Sequence, residues 1–144
     1  TMMTHFDDIL PPITFKYRNN AVLIKTFYEF KCDNRIYFTE KLHKDLENQQ
    51  YKFNVEILSE IDRYGLAMDF NEVDKLYKAH IAPYLEHQLV NETLPEMNTT
   101  AENIAFWIWE QFEKFLPQDN KLQKLEFFEN DTQGLVLTGK LMDN

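Results

Sequence analysis

The chain has 144 residues, enough for one compact domain with a real core: 44% of the residues are hydrophobic, 27% charged and 15% aromatic. Only 3 Gly and 5 Pro occur, which excludes low-complexity and collagen-like sequence. The net charge of −9 at pH 7 argues against nucleic acid and anionic membranes as partners, since both need clustered Lys and Arg.

Taken in chain order, Thr1 to Leu10 carries Asp7 and Asp8 and has neither a basic start nor an apolar segment, so it does not read as a signal peptide. Residues 1–20 are expected to form a leader, with 1–12 irregular up to Pro11-Pro12 and a short extended piece at Ile13 to Tyr17. A single domain is expected over 21–144. No apolar run approaches the roughly 20 residues of a membrane span, and cytoplasmic location is the expectation. Cys32 is the single cysteine, so no intramolecular disulfide forms.

Asn19-Asn20 signals a turn before Ala21 to Phe30, where Val22, Ile24, Phe27 and Phe30 favour a strand. Asp33 to Gln50 is polar and reads as a long connection with local helix around Glu40 to Leu46. Tyr51 to Ile61 is the clearest strand: Tyr51, Phe53, Val55 and Ile57 alternate with polar residues. Asn71 to Leu85 has helical spacing, with Asp69 or Asn71 as cap. After a loop at Asn91 to Asn98, Thr99-Thr100-Ala101-Glu102 matches a capping box. The helix that follows carries Ile104, Ile108, Trp109, Phe112 and Phe115, and Pro117 stops it. Lys121 to Phe128 and Leu135 to Leu141 close the chain as a hairpin through Asn130 to Gly134.

The predicted fold is α+β: a four-stranded antiparallel sheet with two helices packed on one face. Its open edges invite pairing between subunits, so an oligomer is expected.

Several segments resemble, in order and spacing, the 6-pyruvoyl-tetrahydropterin synthase / 6-carboxytetrahydropterin synthase family. Phe30 to Ile36 is similar to its Phe-Ser-Ala-Ala-His-Arg-Leu. Leu46-Glu47-Asn48-Gln49-Gln50-Tyr51 is similar to its Leu-His-Gly-His-Asn-Tyr. Gly65 to Phe70 resembles Gly-Met-Val-Met-Asp-Phe, Glu86 to Asn91 resembles Asp-His-x-x-Leu-Asn, and Asn98 to Asn103 resembles Asn-Pro-Thr-x-Glu-Asn. Glu129 resembles the family's strand-end glutamate. The resemblance runs from about Ala21 to the C-terminus. It implies a tunnelling fold, a ring-based hexamer and a pterin-like or purine-like small-molecule ligand.

The departures fall on the chemistry. In the family three histidines hold zinc, and the matching positions are Asn34, Glu47 and Gln49. Two neutral amides and one carboxylate make a poor zinc set. Neither does one carboxylate suffice for Mg²⁺ or Ca²⁺. No metal and no cofactor is therefore expected. The family's catalytic cysteine falls on His43, and its Asp-His pair on Glu86 and His87. The resemblance thus implies His43, Glu86 and His87 as candidate acid–base residues, and Glu129 with Thr100 as candidate ligand anchors. Each also has a plain reading: a solvated loop histidine at 43, a helix-end charge at 86, a helix-end histidine at 87, and a turn-capping carboxylate at 129. Trp107, Trp109, Phe112 and Phe115 read as core, and Cys32 as a packed free thiol. Three functions fit: a zinc-free binding module, an active pterin-converting lyase or synthase using His43 and His87, and a non-catalytic oligomeric scaffold.

Overall fold

The computed structural model describes residues 5–16 and 18–143. The sheet contains β1 (Ala21–Tyr37), β2 (His43–Glu60), β3 (Asn120–Asn130) and β4 (Gln133–Thr138), antiparallel throughout and in the order β1-β2-β3-β4. Between β2 and β3 lie α1 (Phe70–His80), α2 (Ala82–Leu85), α3 (Val90–Thr93) and α4 (Ala101–Phe115). A last helical turn, α5 (Gly139–Met142), follows β4.

Period-two side chains sort the sheet into two faces. Ile24, Phe30, Tyr51, Phe53, Val55, Ile57, Leu125 and Phe127 are buried against Val73, Leu76 and Tyr77 of α1 and Ile104, Ile108, Trp109 and Phe112 of α4. Trp107 and Trp109 are thus core residues, as their helical spacing implies. Among the described residues no helix lies over the opposite face. It carries a charged ladder in which Lys25 Nζ lies 3.7 Å from both Glu56 and Glu126, and Lys124 Nζ lies 3.8 Å from Glu56.

The largest departure from the sequence-based expectation is at Asp33 to Gln50. Instead of a long connection with local helix, β1 and β2 run straight through it. Only Phe38 to Leu42 turns, closed by Phe38 N donating to Leu42 O at 2.8 Å. The reason is geometric. β3 pairs with β2 only from Lys52 to Ser59, so the far end of the hairpin projects past the sheet. Strands exposed on both sides show no apolar alternation, and backbone ladder bonds need none.

Smaller corrections have equally local causes. The helix expected from Asn71 to Leu85 breaks at Ile81, because Pro83 lacks an N–H and the chain restarts as α2 with that proline in its first turn. Asp69 caps α1 by accepting from Asn71 N at 2.9 Å. The expected loop at Asn91 to Asn98 begins inside α3. Thr100 rather than Thr99 caps α4, accepting from Asn103 N at 3.2 Å. The last strand stops at Thr138, whose hydroxyl accepts from Leu141 N and starts α5. In the leader, His5–Asp8 forms a 3-10 turn and residues 13–16 form no strand; Tyr17, the end of the extended piece expected there, and residues 1–4 lie outside the described residues. Among the described residues no helix is long and apolar enough to cross a membrane.

Candidate functional site

The site is built where β2 bulges against β1, with Glu47 and Asn48 opposite the single Asp33. The register slips between Cys32 and Asn34, so Cys32 lies opposite Gln49 but Asn34 lies opposite Leu46. The extra residues of β2 are absorbed at Asn48, which takes a left-handed φ of 53° and donates its N–H to Asp33 Oδ1 at 2.8 Å. In the family motif that Leu46 to Tyr51 resembles, this position is a glycine. Asn is among the non-glycine residues that best tolerate this conformation, so the backbone turn is kept.

Asn34 is 2% exposed and both ends of its amide are used. Nδ2 donates to Thr99 O at 2.6 Å and, more weakly, to Tyr51 Oη at 3.4 Å, while Oδ1 accepts from the Thr99 hydroxyl. This explains why Thr99 does not cap α4: its hydroxyl is turned inward. Gln49 Nε2 donates to the backbone oxygens of Glu129 at 3.0 Å and Gln50 at 3.3 Å. Glu47 is exposed. At the three positions that resemble the family's metal ligands, then, one amide is consumed in the core, one is tied to the end of β3, and one carboxylate stands in solvent. Among the described residues no three His, Cys, Asp or Glu side chains converge on a point that could hold a metal. This donor set does not fit zinc.

The other positions divide into two places. Glu86 and His87 meet, with His87 Nε2 3.1 Å from Glu86 Oε1. His87 has φ 59°, and its N–H donates to Lys31 O at 2.7 Å, which docks the pair against the edge of β1. His43 begins β2 opposite Tyr37, with the two rings 5.7 Å apart. Lys31 and Tyr37 are six residues apart on one strand. At about 3.3 Å per residue, His43 is roughly 20 Å from His87. One chain therefore brings Glu86 and His87 together and leaves His43 apart.

Glu129, exposed at the end of β3, lines a groove of about 350 Å³ with Gln49, Gln50, Lys52, Phe128, Asn130 and Asp131. Its plain reading as the turn's cap does not hold. Asn130 caps the turn, its Oδ1 accepting from Thr132 N at 2.9 Å, and the Glu129 carboxylate has no hydrogen bond or ion pair among the described residues. Thr100, by contrast, is occupied in capping α4.

Sequence reasoning missed the residues that seal the outer edge of β1. Asn91 donates to Arg35 O at 2.9 Å and accepts from Arg35 N at 2.7 Å. Asn98 does the same for Tyr37, at 2.7 and 2.9 Å. Each amide thus stands in for a neighbouring strand. Arg35 and Asp45, opposite each other in the ladder, form a two-pronged ion pair at 2.6 and 2.9 Å. The Arg35 hydrogen bonds hold the Asp45 carboxyl below the usual carboxylate range. Nothing in a single sequence marks such long-range partners; an amide bonded to backbone leaves no pattern.

With this geometry in place, comparison with known proteins is informative. The four-stranded antiparallel sheet with helices on one face is shared with solved pterin-synthase structures. The Caenorhabditis elegans 6-pyruvoyl tetrahydropterin synthase aligns with TM-score 0.72 and 17% identity, over 85% of this chain and 99% of that one. A Plasmodium vivax 6-pyruvoyltetrahydropterin synthase aligns with TM-score 0.65 and 13% identity, over 83% and 98%. The family model described as 6-pyruvoyl tetrahydropterin synthase matches residues 24–140, and the chain belongs to that family. Among curated relatives, it is 33% identical over 94 residues to a dihydroneopterin monophosphate aldolase of Pyrococcus furiosus, spanning 65% of this chain and 79% of that protein. It is 30% identical over 94 residues to the human 6-pyruvoyl tetrahydrobiopterin synthase, spanning 62% of this chain and 64% of that protein.

Cys32 is 2% exposed, and burial, reinforced by Asp33 and Glu86, pushes its thiol up to about 12. It is no nucleophile at neutral pH. Because the folded state keeps the proton, this group's stabilisation is complete below the unfolded value of about 8.5 and is lost as pH rises toward the folded value. Burial likewise raises Tyr51 to about 12, which adds to the loss above about pH 10. Urea unfolding should show stability falling by about 2 kcal/mol between about pH 8.5 and about pH 10.5 from Cys32 alone. A Cys32→Ala variant should show a shallower fall, and an equal slope in both proteins would refute the buried-thiol account.

Proposed function

We propose that this chain is a divergent 6-pyruvoyl tetrahydropterin synthase-like protein that binds a pterin-like or purine-like heterocycle without zinc chemistry. One observation carries the reading: the Glu129 carboxylate is unengaged where it lines a groove, while Asn34 and Gln49, two of the three positions that resemble the family's metal ligands, are spent on the fold and the third, Glu47, is exposed. A pterin or guanine presents a ring N–H beside an exocyclic amine. A carboxylate accepts both at once, and charge-assisted pairs are stronger than neutral ones. Gln49 fixes the Glu129 backbone from β2, so the anchor sits on a rigid strand end rather than a loose turn. Zinc plays no part in this contact, so the anchor outlasts the loss of the metal ligands.

The second reading is an active lyase or synthase. It is favoured by the Glu86–His87 contact, in which a carboxylate orients an imidazole, the side chain most used for general acid–base work. The distance of His43 means that its acid–base partner would have to be the His87 of another subunit. The sheet leaves two edges for such assembly: β4, and β1 from Ala21 to Phe30. No strand lies beyond either among the described residues.

Four measurements test these proposals. Calorimetry with pterin and guanine should give binding that weakens roughly ten-fold or more in Glu129→Gln, since a hydrogen bond to a charged group is worth about 1.5–3 kcal/mol. The same preparation should hold less than one zinc per chain by elemental analysis. Equal binding by the variant, or none by the wild type, would favour the bare scaffold. Dihydroneopterin triphosphate should turn over weakly or not at all; turnover abolished by His87→Ala would establish the second reading instead. Light scattering at micromolar concentration should report an oligomer, a hexamer by family resemblance, and a clean monomer would remove the subunit-spanning site.

A further inference from the structure

The helix-free face of the sheet holds a feature that neither the ladder of charges nor the Glu129 groove explains. Asn54 sits in the middle of β2, a central strand, where Asn is a poor choice. It is 5% exposed although no helix covers it, and its Oδ1 is enclosed with no hydrogen-bond partner. Buried acceptors of this kind are rare in folded proteins and call for a reason. Asn54 lines a groove of about 490 Å³ whose walls include Phe27 and Phe128. Phe27, directly opposite Asn54 on β1, is 71% exposed, an unusual position for a phenylalanine in mid-strand.

Both walls are held in place. Lys25 Nζ lies 5.6 Å from the centre of the Phe27 ring and is itself tied to Glu56 and Glu126. Phe128 packs over Gly134, its partner on β4: a Cβ at that glycine would meet the Phe128 ring at 2.6 Å, so only glycine lets the ring lie there. The floor is therefore a side-chain amide whose enclosed oxygen would meet a ligand by turning about its last bond toward the groove, and the walls include the rings of Phe27 and Phe128. The volume is in the range of small-molecule sites.

From this arrangement we propose a second small-molecule site on the bare sheet face, taking a flat aromatic molecule with a ring N–H or O–H that donates to Asn54 between Phe27 and Phe128. The stacking surfaces supply most of the contact, and the orphan acceptor supplies selection for a donor. This site is separate from the Glu129 anchor, although Lys52 and Phe128 border both grooves.

Indole and benzofuran test it, being alike in shape and differing in one N–H. Titration of the isotopically labelled full chain with each, followed by amide NMR, should move the signals of Phe27, Asn54 and Phe128, with indole bound about five- to ten-fold more tightly. Asn54→Val, which suits a strand, should keep the fold and bring that ratio to about one. Phe27→Ala, a change at an exposed position, should weaken both ligands, and Glu129→Gln should change neither. Unmoved signals at these three residues, equal binding of the two probes by the wild type, or a preference that survives in Asn54→Val would each overturn the site.

Discussion

The bond between the Asn34 amide and Thr99 sets the terms for this end of the molecule. Asn34 is buried on β1 beside the bulge of β2, and an amide buried without partners costs about 1–3 kcal/mol per unmet group. Thr99 meets both its ends, so the residue just before the Thr100 cap of α4 is fastened to β1. That fixes where α4 begins, leaves Thr100 as the cap, and sets Asn98 against the Tyr37 backbone. Tyr51, reached by the same amide, links the cluster to β2 and packs 5.0 Å from the Phe127 ring of β3. A position that resembles a metal ligand has become a structural fastener.

This substitution separates two things that a metal site normally combines. A bound ion would hold three chain segments together and also perform chemistry. Here the first task passes to hydrogen bonds: Asn34 to Thr99, Gln49 to the Glu129 backbone, and Asp33 to Asn48. The left-handed turn at Asn48 belongs to the same economy of form, since it retains the path of a glycine-containing motif after the flanking side chains have changed. The second task has no evident heir at these positions, which is why the functional reading moves to Glu129 and to the Glu86–His87 pair.

The sequence was most legible where burial imposes a period. Tyr51 to Ile57 and Ile104 to Phe112 could be read directly, because each alternates or recurs against one core. It was least legible from Asp33 to Gln50, where two largely exposed strands are held by ladder bonds and by the Arg35–Asp45 and Asp33–Asn48 contacts rather than by an apolar face, and at Ile81, where Pro83 interrupts a pattern that side-chain spacing continues. The ordered motifs singled out Asn34, Glu47, Gln49, Glu86, His87 and Glu129 as candidates, but not the partners they bond to in the fold. That Thr99 faces inward, that Asn130 and not Glu129 caps the last turn, and that His43 stands far from His87 are all facts of three-dimensional register.

The two asparagines beside β1 have a consequence for anything laid against that edge. Asn91 and Asn98, with Gln88 and His87, already satisfy the outward backbone groups of Lys31, Asp33, Arg35 and Tyr37. An added strand thus meets a stop near Lys31, and its usable track is Ala21 to Phe30. Ten residues of strand measure about 33 Å, so the edge works as a ruler with one closed end. A neighbour that slid past Phe30 would run into side-chain amides instead of free N–H groups, so the edge itself bars alignments on that side.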